Sequence, residues 1–209
     1  MATAVLVKSE KVKLVESNDD VPPFPLRRFT VEEYHKLVEI GVLKSGDPYE
    51  LLEGWIVRKM PINPAQASSI RKLNVSLMSR LHPQWVVSIQ LPITTQWSEP
   101  EPDILVVEGP MDKYDHRHPG PLESELLIEV SASSLMTDRS FKLGIYAAAG
   151  VSQYWIVNLI DHRVEVYTQP RGGKKPGYKS CVHYAKGSQI PLVLAKKKIG
   201  TLPVSEFLA

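Results

Sequence analysis

The segment that decides the fold runs from residue 124 to residue 154 and reads SELLIEVSASSLMTDRSFKLGIYAAAGVSQY. It begins with an apolar run, Leu126-Leu127-Ile128, which predicts a buried β-strand. A helix-forming stretch follows and stops at Gly150, and a second apolar strand begins at Tyr154. Because the two strands are joined through a helix, we expect a crossover connection that makes them parallel in one sheet.

Glu129 interrupts the first of these strands. A buried, ionised carboxylate is costly unless a cation, a metal or hydrogen bonds compensate it, so we expect such a group against Glu129. Thr137 is the predicted N-cap of the helix, with Asp138 in its first turn. Lys142 comes four residues after Asp138 and shares its face of the helix. One explanation of Glu129 is therefore a structural ion pair with Lys142.

The composition bounds the class of protein. The 209 residues are enough for one domain with a sizeable core, and hydrophobic and charged fractions of 43% and 23% are ordinary for a globular protein. The net charge of +2 gives no overall case for nucleic-acid binding, although it does not exclude a local basic groove. The single cysteine, Cys181, excludes an internal disulfide and a cysteine-rich zinc site.

We predict an extended arm over residues 1–26 and a single domain over residues 27–209. The arm ends in a proline-rich run that is typical of extended backbone. The sequence contains no run of eighteen apolar residues that would predict a membrane-spanning helix, and its first ten residues lack the pattern of a signal peptide. We therefore expect a cytoplasmic protein with no membrane partner.

The elements before the deciding segment are predicted to be short, with one exception. Thr30 and Glu33 form a capping box that begins a short amphipathic helix. Residues 49–60 predict a β-hairpin, in which Glu50 faces the opposite side from Glu53. A helical period then predicts one long helix from residue 65 to residue 81, packed on the sheet.

Three polar segments have structural explanations. Residues 164–167 alternate like an exposed antiparallel strand, and residues 169–179, which contain three glycines and four basic residues, predict a mobile loop. His116 and His118 flank Arg117 in a loop rich in proline and glycine. This spacing fits a flexible loop better than a metal site.

Three polar residues converge on the predicted sheet. Asp103 begins one apolar strand, Glu129 interrupts the next, and Lys142 lies on the helix that follows. Neighbouring strands lie about 4.8 Å apart, so carboxylates on two of them can share a divalent cation. Magnesium prefers oxygen ligands and often uses only one or two carboxylates. With a lysine to stabilise negative charge on a phosphate, this set predicts metal-dependent hydrolysis of phosphodiesters.

The same residues match a known signature, in which Pro-Asp is followed by Glu-x-Lys. Here it reads Pro102-Asp103 and then Glu129-Val130-Ser131, so that Ser131 stands in the place of the usual lysine. Six strings, in this order and spacing, extend the match over roughly residues 27–190: TVEEY at 30–34, YELLEG at 49–54, SEPEPD at 98–103, IEVSASSL at 128–135, DRSFKL at 138–143 and AGVSQYWIV at 149–157. In these strings the chain resembles the Uma-type family of putative restriction endonucleases, within the PD-(D/E)xK superfamily.

The resemblance implies an α/β (α+β) fold with a mixed central β-sheet flanked by helices. It also implies a nuclease site that uses Mg²⁺ or Mn²⁺, DNA as the partner, and a homodimer. By position, Asp103 and Glu129 would be the metal ligands. Lys142 would be the catalytic lysine, migrated to the following helix, and Glu50 an additional acidic residue of the site. Asp138 would either orient Lys142 or be a plain helix-start residue.

Two hypotheses of function stay open at this point. The first is a magnesium-dependent endonuclease that hydrolyses phosphodiester bonds in DNA. The second is a catalytically decayed nucleic-acid-binding or dimerisation module on the same fold. Family members often carry a histidine near the start of the long helix, where this chain has Ala67-Ser68-Ser69, and this departure favours the second hypothesis. An enzyme acting on another phosphoester would share the same metal site, and no base-reading motif indicates a target sequence.

Overall fold

The computed structural model describes residues 25–44 and 46–208. The predicted arm over residues 1–26 therefore lies almost entirely outside the described residues. In chain order, the main elements are α1 (Val31–Glu39), β1 (Tyr49–Leu52), β2 (Trp55–Arg58), α2 (Pro64–Met78), β3 (Trp85–Ile89), β4 (Ile104–Glu108), β5 (Ser124–Ser131), α3 (Leu135–Thr137), a π-helical turn (Asp138–Lys142), α4 (Leu143–Ala148), β6 (Gln153–Asn158), β7 (Arg163–Arg171), β8 (Gly177–Ala185), β9 (Gln189–Leu194) and β10 (Lys197–Pro203).

A six-stranded sheet in the order β3-β4-β5-β6-β7-β8 forms the centre of the fold. Its strands are antiparallel neighbours except β5 and β6, which are parallel. The mixed central sheet and the parallel pairing across the helical crossover are thus confirmed. The pairs β1/β2 and β9/β10 form separate two-stranded sheets. In the antiparallel pairing of β4 with β5, Ile104 stands opposite Ile128, which brings the residue before β4 beside Glu129.

Both faces of the sheet are covered, which explains the long apolar runs in its strands. On one face, Ile128 and Val130 pack with α2, β9 and β10. On the other face, Leu127 packs with α3 and α4. Because side chains alternate along a strand, Glu129 points to the side of α3 and α4. The carboxylate is therefore aimed at the crossover helix rather than at solvent.

The crossover is not one regular helix. Helical backbone already begins at Leu135, so Thr137 lies inside it and its prediction as the N-cap is wrong. Asp138, expected to be a first-turn residue, instead begins a π-helical turn that ends at Lys142. Both residues are buried, whereas Phe141 between them is exposed. Such wide turns are rare and frequently occur at functional sites.

The predicted helix start and hairpin are confirmed. The Thr30 hydroxyl accepts from the Glu33 backbone N–H, and the Glu33 carboxylate accepts from the Thr30 backbone N–H, as in a capping box. Gly54 takes a positive φ of 79° at the hairpin turn. A Cβ at Gly54 would come within 2.6 Å of the Arg28 Cβ, so both the turn and the close packing require glycine. The long helix is also present, although it ends at Met78 rather than at residue 81.

Two predictions for the second half of the chain are wrong. The segment 164–167 is not exposed, because β7 lies between β6 and β8 and its residues 164–166 are buried. The segment 169–179 is not mainly a loop, since Pro170 pairs with Tyr178 and Arg171 with Gly177 in the β7–β8 hairpin. Among the helices of the described ranges, none is long and apolar enough to cross a membrane.

Candidate active site

A cleft of about 570 Å³ opens where the β1–β2 hairpin, the start of α2, the ends of β4 and β5 and the π-helical turn meet. We call it the carboxylate cleft. Its polar and charged lining side chains are Glu50, Arg58, Lys59, Gln66, Gln90, Glu101, Asp103, Glu129, Ser134, Thr137, Asp138 and Lys142. All four residues predicted from the sequence as site residues therefore line one cleft, although they come from three strand regions and one helix.

Asp103 lies directly before β4 and is tied to the neighbouring strand. Its Oδ2 accepts a hydrogen bond of 2.7 Å from the backbone N–H of Val130. Val130 is the residue that follows Glu129, so this bond fixes the two carboxylates relative to each other. The sheet thus supplies the adjacent pair of carboxylates that the sequence predicts on neighbouring strands.

Lys142 bridges two of the carboxylates. Its Nζ lies 3.1 Å from Glu129 Oε1 and 3.2 Å from Glu50 Oε2, and only 7% of the residue is exposed. Glu50 Oε2 also accepts from the backbone N–H of Glu101 at 3.1 Å. The structural ion pair between Glu129 and Lys142, which the sequence left open, is therefore present, and it includes Glu50 as a third member.

Ser131 occupies the signature position at which a lysine is expected. Its hydroxyl donates a hydrogen bond of 2.7 Å to Asp138 Oδ2. The backbone carbonyl of Asp138 in turn accepts from the hydroxyl of Tyr154 at 3.2 Å. Ser131 thus anchors the π-helical turn to β5. Asp138 has a hydrogen-bonded role in the cleft and is not a plain helix-start residue.

The cleft holds more negative than positive charge. Five carboxylates line it against three cations. Glu101 pairs with Lys59 and Arg58 is exposed, so the other four carboxylates share the buried ammonium of Lys142. Burial raises the pKa of Glu129 well above its usual value, and the neighbouring carboxylates raise it further against the opposing effect of Lys142. Burial likewise raises the pKa of Asp103 and that of Asp138. In all three groups the effect of burial outweighs the opposing effect of Lys142.

Lys142 itself stays protonated. Burial alone would lower its pKa, but the carboxylates of Glu129, Glu50 and Asp138 outweigh this effect and raise the pKa above its usual value. A buried lysine that remains charged at neutral pH can serve as a fixed donor to an anion.

The comparison with protein families decides the assignment of this chain. Residues 31–199 match the family model Uma2, which is described as a putative restriction endonuclease. The chain belongs to the Uma2 family. Every residue of the carboxylate cleft lies within the matched range.

A solved structure is similar in fold to this Uma2 chain. It is the crystal structure of a putative nuclease belonging to DUF820 from Anabaena variabilis, with a TM-score of 0.65. The two sequences are 14% identical, and the match covers 86% of this chain and 97% of that one. At this identity the likeness concerns the fold alone. A comparison with curated proteins found no match.

Two buried side chains that hydrogen-bond to Glu129 or to the neighbouring Val130 in this Uma2 protein were not predicted from the sequence. Tyr146 is fully buried on α4, and its hydroxyl donates to Glu129 Oε1 at 3.0 Å. Its spacing of four residues from Lys142, which places both on one helix face, is the signal that could have identified it. Gln66 is buried at the start of α2, and its amide donates to the Val130 carbonyl at 2.9 Å. The start of α2 thus does place a polar group in the cleft, one residue before Ala67.

The donor atoms of the cleft suit a hard cation. They are carboxylate oxygens, which Mg²⁺ and Mn²⁺ prefer. Across residues 25–44 and 46–208, no three His, Cys, Asp or Glu side chains form a group that could hold a metal ion by themselves. A cation in the cleft would therefore rest on the pair Asp103 and Glu129, with water completing its coordination, as is common for Mg²⁺.

Proposed function

We propose that this Uma2 protein is a metal-dependent endonuclease that hydrolyses phosphodiester bonds in DNA. The observation that carries the proposal is the charge imbalance of the carboxylate cleft. Five carboxylates line the cleft against three cations, and four of the carboxylates surround one buried ammonium, that of Lys142. Burial raises the pKa of three of these four, and a further cation would offset their charge. The membership in a family of putative restriction endonucleases supports phosphodiesters as the substrate class.

Asp103 and Glu129 would hold Mg²⁺ or Mn²⁺ from adjacent strands. When bound, the cation supplies positive charge to the phosphate and lowers the pKa of a coordinated water. The hydrogen bond from the Val130 N–H holds the Asp103 carboxylate in place. The Tyr146 hydroxyl and the Lys142 ammonium both contact Glu129 Oε1. Because both donors converge on one oxygen, the other oxygen of the carboxylate, Oε2, is the one available as a ligand.

Lys142 would act on the substrate. Its ammonium has three N–H donors, of which Glu129 and Glu50 engage two. The remaining donor can reach a non-bridging phosphate oxygen in the cleft and stabilise the charge that develops there. Glu50 holds the lysine in position, so its removal would misplace the ammonium rather than remove a ligand.

The test combines metal binding with hydrolysis. Wild type is expected to bind Mg²⁺ in calorimetry and to cut DNA in Mg²⁺ or Mn²⁺. Asp103→Asn is expected to lower cleavage by at least about 100-fold, because it removes a ligand charge. Asp112→Asn, which changes an exposed aspartate outside the cleft, is the matched control and should behave like wild type. Absence of cleavage by wild type with either metal would refute the proposal.

The second candidate is a decayed binding module, and one observation favours it. Lys142 already neutralises Glu129 and Glu50 in the way that a structural ion pair would. In that case DNA binding would be salt-sensitive and independent of Mg²⁺, with no cleavage. A homodimer, expected from the family resemblance, stays a prediction that sedimentation velocity can test.

A further inference from the structure

A second and larger cavity adjoins the carboxylate cleft. It has a volume of about 1120 Å³ and lies between α1, the segment before β1, the loop after β3 and the loop at residues 114–120. We call it the side groove. Gly46, Lys59, Gln90 and Glu101 line both the side groove and the carboxylate cleft. The two cavities therefore form one continuous depression that leads to Lys142.

Gln90 stands at the junction of the two cavities. Its backbone has a φ of 53°, in the left-handed region that residues other than glycine seldom adopt. Its side chain hydrogen-bonds to Asp103 and supports the ionised form of that carboxylate. Backbone strain of this kind persists where the surroundings enforce it, and it is frequent at ligand-binding sites.

The carboxylates of the side groove are mostly engaged. Glu99 is buried and lies 2.7 Å from both His35 Nε2 and the Thr94 hydroxyl. Glu101 forms an ion pair with Lys59. These partners reduce the negative charge that the groove would present to an anion.

Side chains that can donate to an anion remain available in the groove. Lys44, His116 and His118 are exposed and line the groove. Within residues 25–44 and 46–208, their side chains have no ion-pair or hydrogen-bond partner. Among the carboxylates that line the groove, Asp115 alone also has no such partner within these residues. The histidine pair, which had no role in the cleft, therefore belongs to a surface suited to an anionic ligand.

Aromatic rings complete the lining. Tyr34, Tyr49 and Tyr114 all border the groove. The Arg117 guanidinium lies over the Tyr114 ring, 5.4 Å from its centre. Cations that follow a phosphate backbone, together with aromatic rings on which bases stack, are typical of grooves that bind single-stranded nucleic acid. Bases in a duplex are stacked on each other and cannot use such rings.

We propose that the side groove binds a single strand of nucleic acid and leads it past Gln90 into the carboxylate cleft. This inference rests on the proposed hydrolysis of phosphodiesters, since it assigns the path of the substrate to the same site. Lys44, His116 and His118 contact phosphates, and the partly exposed Tyr49 and Tyr114 stack on bases, whereas Tyr34 is buried in the wall of the groove.

The test is a binding measurement without metal. A fluorescently labelled single strand of twelve deoxythymidines is titrated in EDTA with wild type and with the triple variant Lys44→Glu, His116→Glu, His118→Glu. The variant is expected to bind about 10-fold more weakly. Its salt dependence should also be smaller, by roughly 0.7 in slope for each phosphate that the groove no longer neutralises. The control Lys197→Glu, Lys198→Glu makes the same change in formal charge, counting histidine as neutral, on an exposed hairpin outside both cavities.

The outcomes separate this inference from the proposed function. Equal weakening by the control and the triple variant, wild-type affinity in the triple variant, or tighter binding of a duplex than of the single strand would overturn the side groove as a single-strand path. The small diester bis(p-nitrophenyl) phosphate tests the chemistry alone, because it has no flanking strand. The triple variant should hydrolyse it at the wild-type rate in Mg²⁺. Failure of wild type to hydrolyse any diester would refute the proposed function, while the binding result would still decide the groove.

Discussion

Two glutamates occupy similar sequence contexts in the sheet and have opposite surroundings. Glu129 in β5 is flanked by Ile128 and Val130, and Glu165 in β7 by Val164 and Val166. Both are buried, with exposures of 5% and 1%, and both point to the side of the crossover helix. Yet burial and carboxylate neighbours raise the pKa of Glu129, whereas Glu165 is held far below its usual pKa.

The surroundings of Glu165 are balanced in charge and rich in donors. Its carboxylate accepts hydrogen bonds from Arg139 Nε at 3.0 Å, Arg163 Nε at 3.2 Å, Asn158 Nδ2 at 2.9 Å and the Tyr167 hydroxyl at 2.8 Å. Asp161 contacts both arginines as well. The site therefore contains two carboxylates and two guanidinium groups. Burial alone would raise the pKa of Glu165, but these donors outweigh it and lower the pKa to about 2. We call this set the arginine cluster.

The contrast separates a site that is satisfied without a ligand from the site that we propose to be functional. Arg139 of the arginine cluster follows Asp138 of the carboxylate cleft directly, so one π-helical turn carries both sites. The arginine cluster attaches this turn to β7 and is satisfied without a ligand. The carboxylate cleft on the other side of the turn has five carboxylates for three cations, and four of the carboxylates surround the buried Lys142. Such an excess lowers stability and is retained where binding requires it.

The largest expected effect comes from removing Lys142, the one buried cation among the described lining residues of the cleft. Lys142→Met leaves the buried Glu50 and Glu129 without their cation, so we expect a loss of about 3 to 5 kcal/mol in the free energy of unfolding without metal. Urea unfolding at pH 7 measures it, with Lys72→Met on the exposed side of α2 as control. A change within about 0.5 kcal/mol of the control would mean that these carboxylates do not depend on Lys142.

Glu165→Gln tests the balanced site and should also destabilise the protein. A pKa of about 2 against an ordinary 4.5 corresponds to at most about 3 kcal/mol, at 1.36 kcal/mol per unit. Because the folded pKa is the lower one, this stabilisation is complete above pH 4.5 and disappears as the pH falls towards 2. Urea unfolding from pH 3 to pH 7 should therefore show wild type and variant converging in acid, with exposed Glu108→Gln as control. A difference in unfolding free energy between wild type and variant that stays constant with pH would contradict the lowered pKa of Glu165.

In the absence of metal, Glu129→Gln should stabilise the protein, whereas Glu165→Gln destabilises it. The variant removes one of four carboxylates that share a single ammonium, so we expect it to be about 1 kcal/mol more stable than wild type at pH 7. Because the folded pKa of Glu129 is raised, its ionisation destabilises wild type only above the ordinary value of 4.5. The advantage of the variant should thus be absent below that pH and grow as the pH rises.

In Mg²⁺, wild type should become more stable than Glu129→Gln. At a concentration of about 100 times its dissociation constant, a ligand of the folded state stabilises it by about 2.7 kcal/mol. Wild type is expected to gain this stabilisation, and Glu129→Gln is not. The opposite result is that the variant is destabilised without metal and that Mg²⁺ stabilises neither protein. Glu129 would then be a structural partner of Lys142, just as Glu165 is a structural partner of its arginines.

The surroundings of Glu129 could be predicted from the sequence, whereas those of Glu165 could not, and the reason is physical. The apolar run, the crossover and the spacing of Asp138 and Lys142 are local patterns, and they predicted the parallel strands and the proximity of Glu129 to Lys142. Glu50 was assigned to the site by the family resemblance alone. The alternation around Glu165 indicated an exposed strand, because the covering of β7 by β8 and the crossover depends on contacts distant in the chain. The π-helical turn escaped prediction for the same reason, since Ser131 and the arginine cluster fix it from outside the helix.

The smallest expected effect sharpens the comparison at a single hydrogen bond. Tyr146→Phe removes the hydroxyl that donates to Glu129, and Tyr178→Phe removes one that donates to the Val151 carbonyl at 3.0 Å, outside the cleft. Each variant should lose about 0.5 to 1.5 kcal/mol of stability, as is usual for one hydrogen bond. Only Tyr146→Phe should also weaken Mg²⁺ binding, by about 10-fold, because it releases the orientation of a ligand. Calorimetry measures the Mg²⁺ affinity of both variants. Equal affinities would mean that Tyr146 supports the fold and does not position Glu129 for a metal.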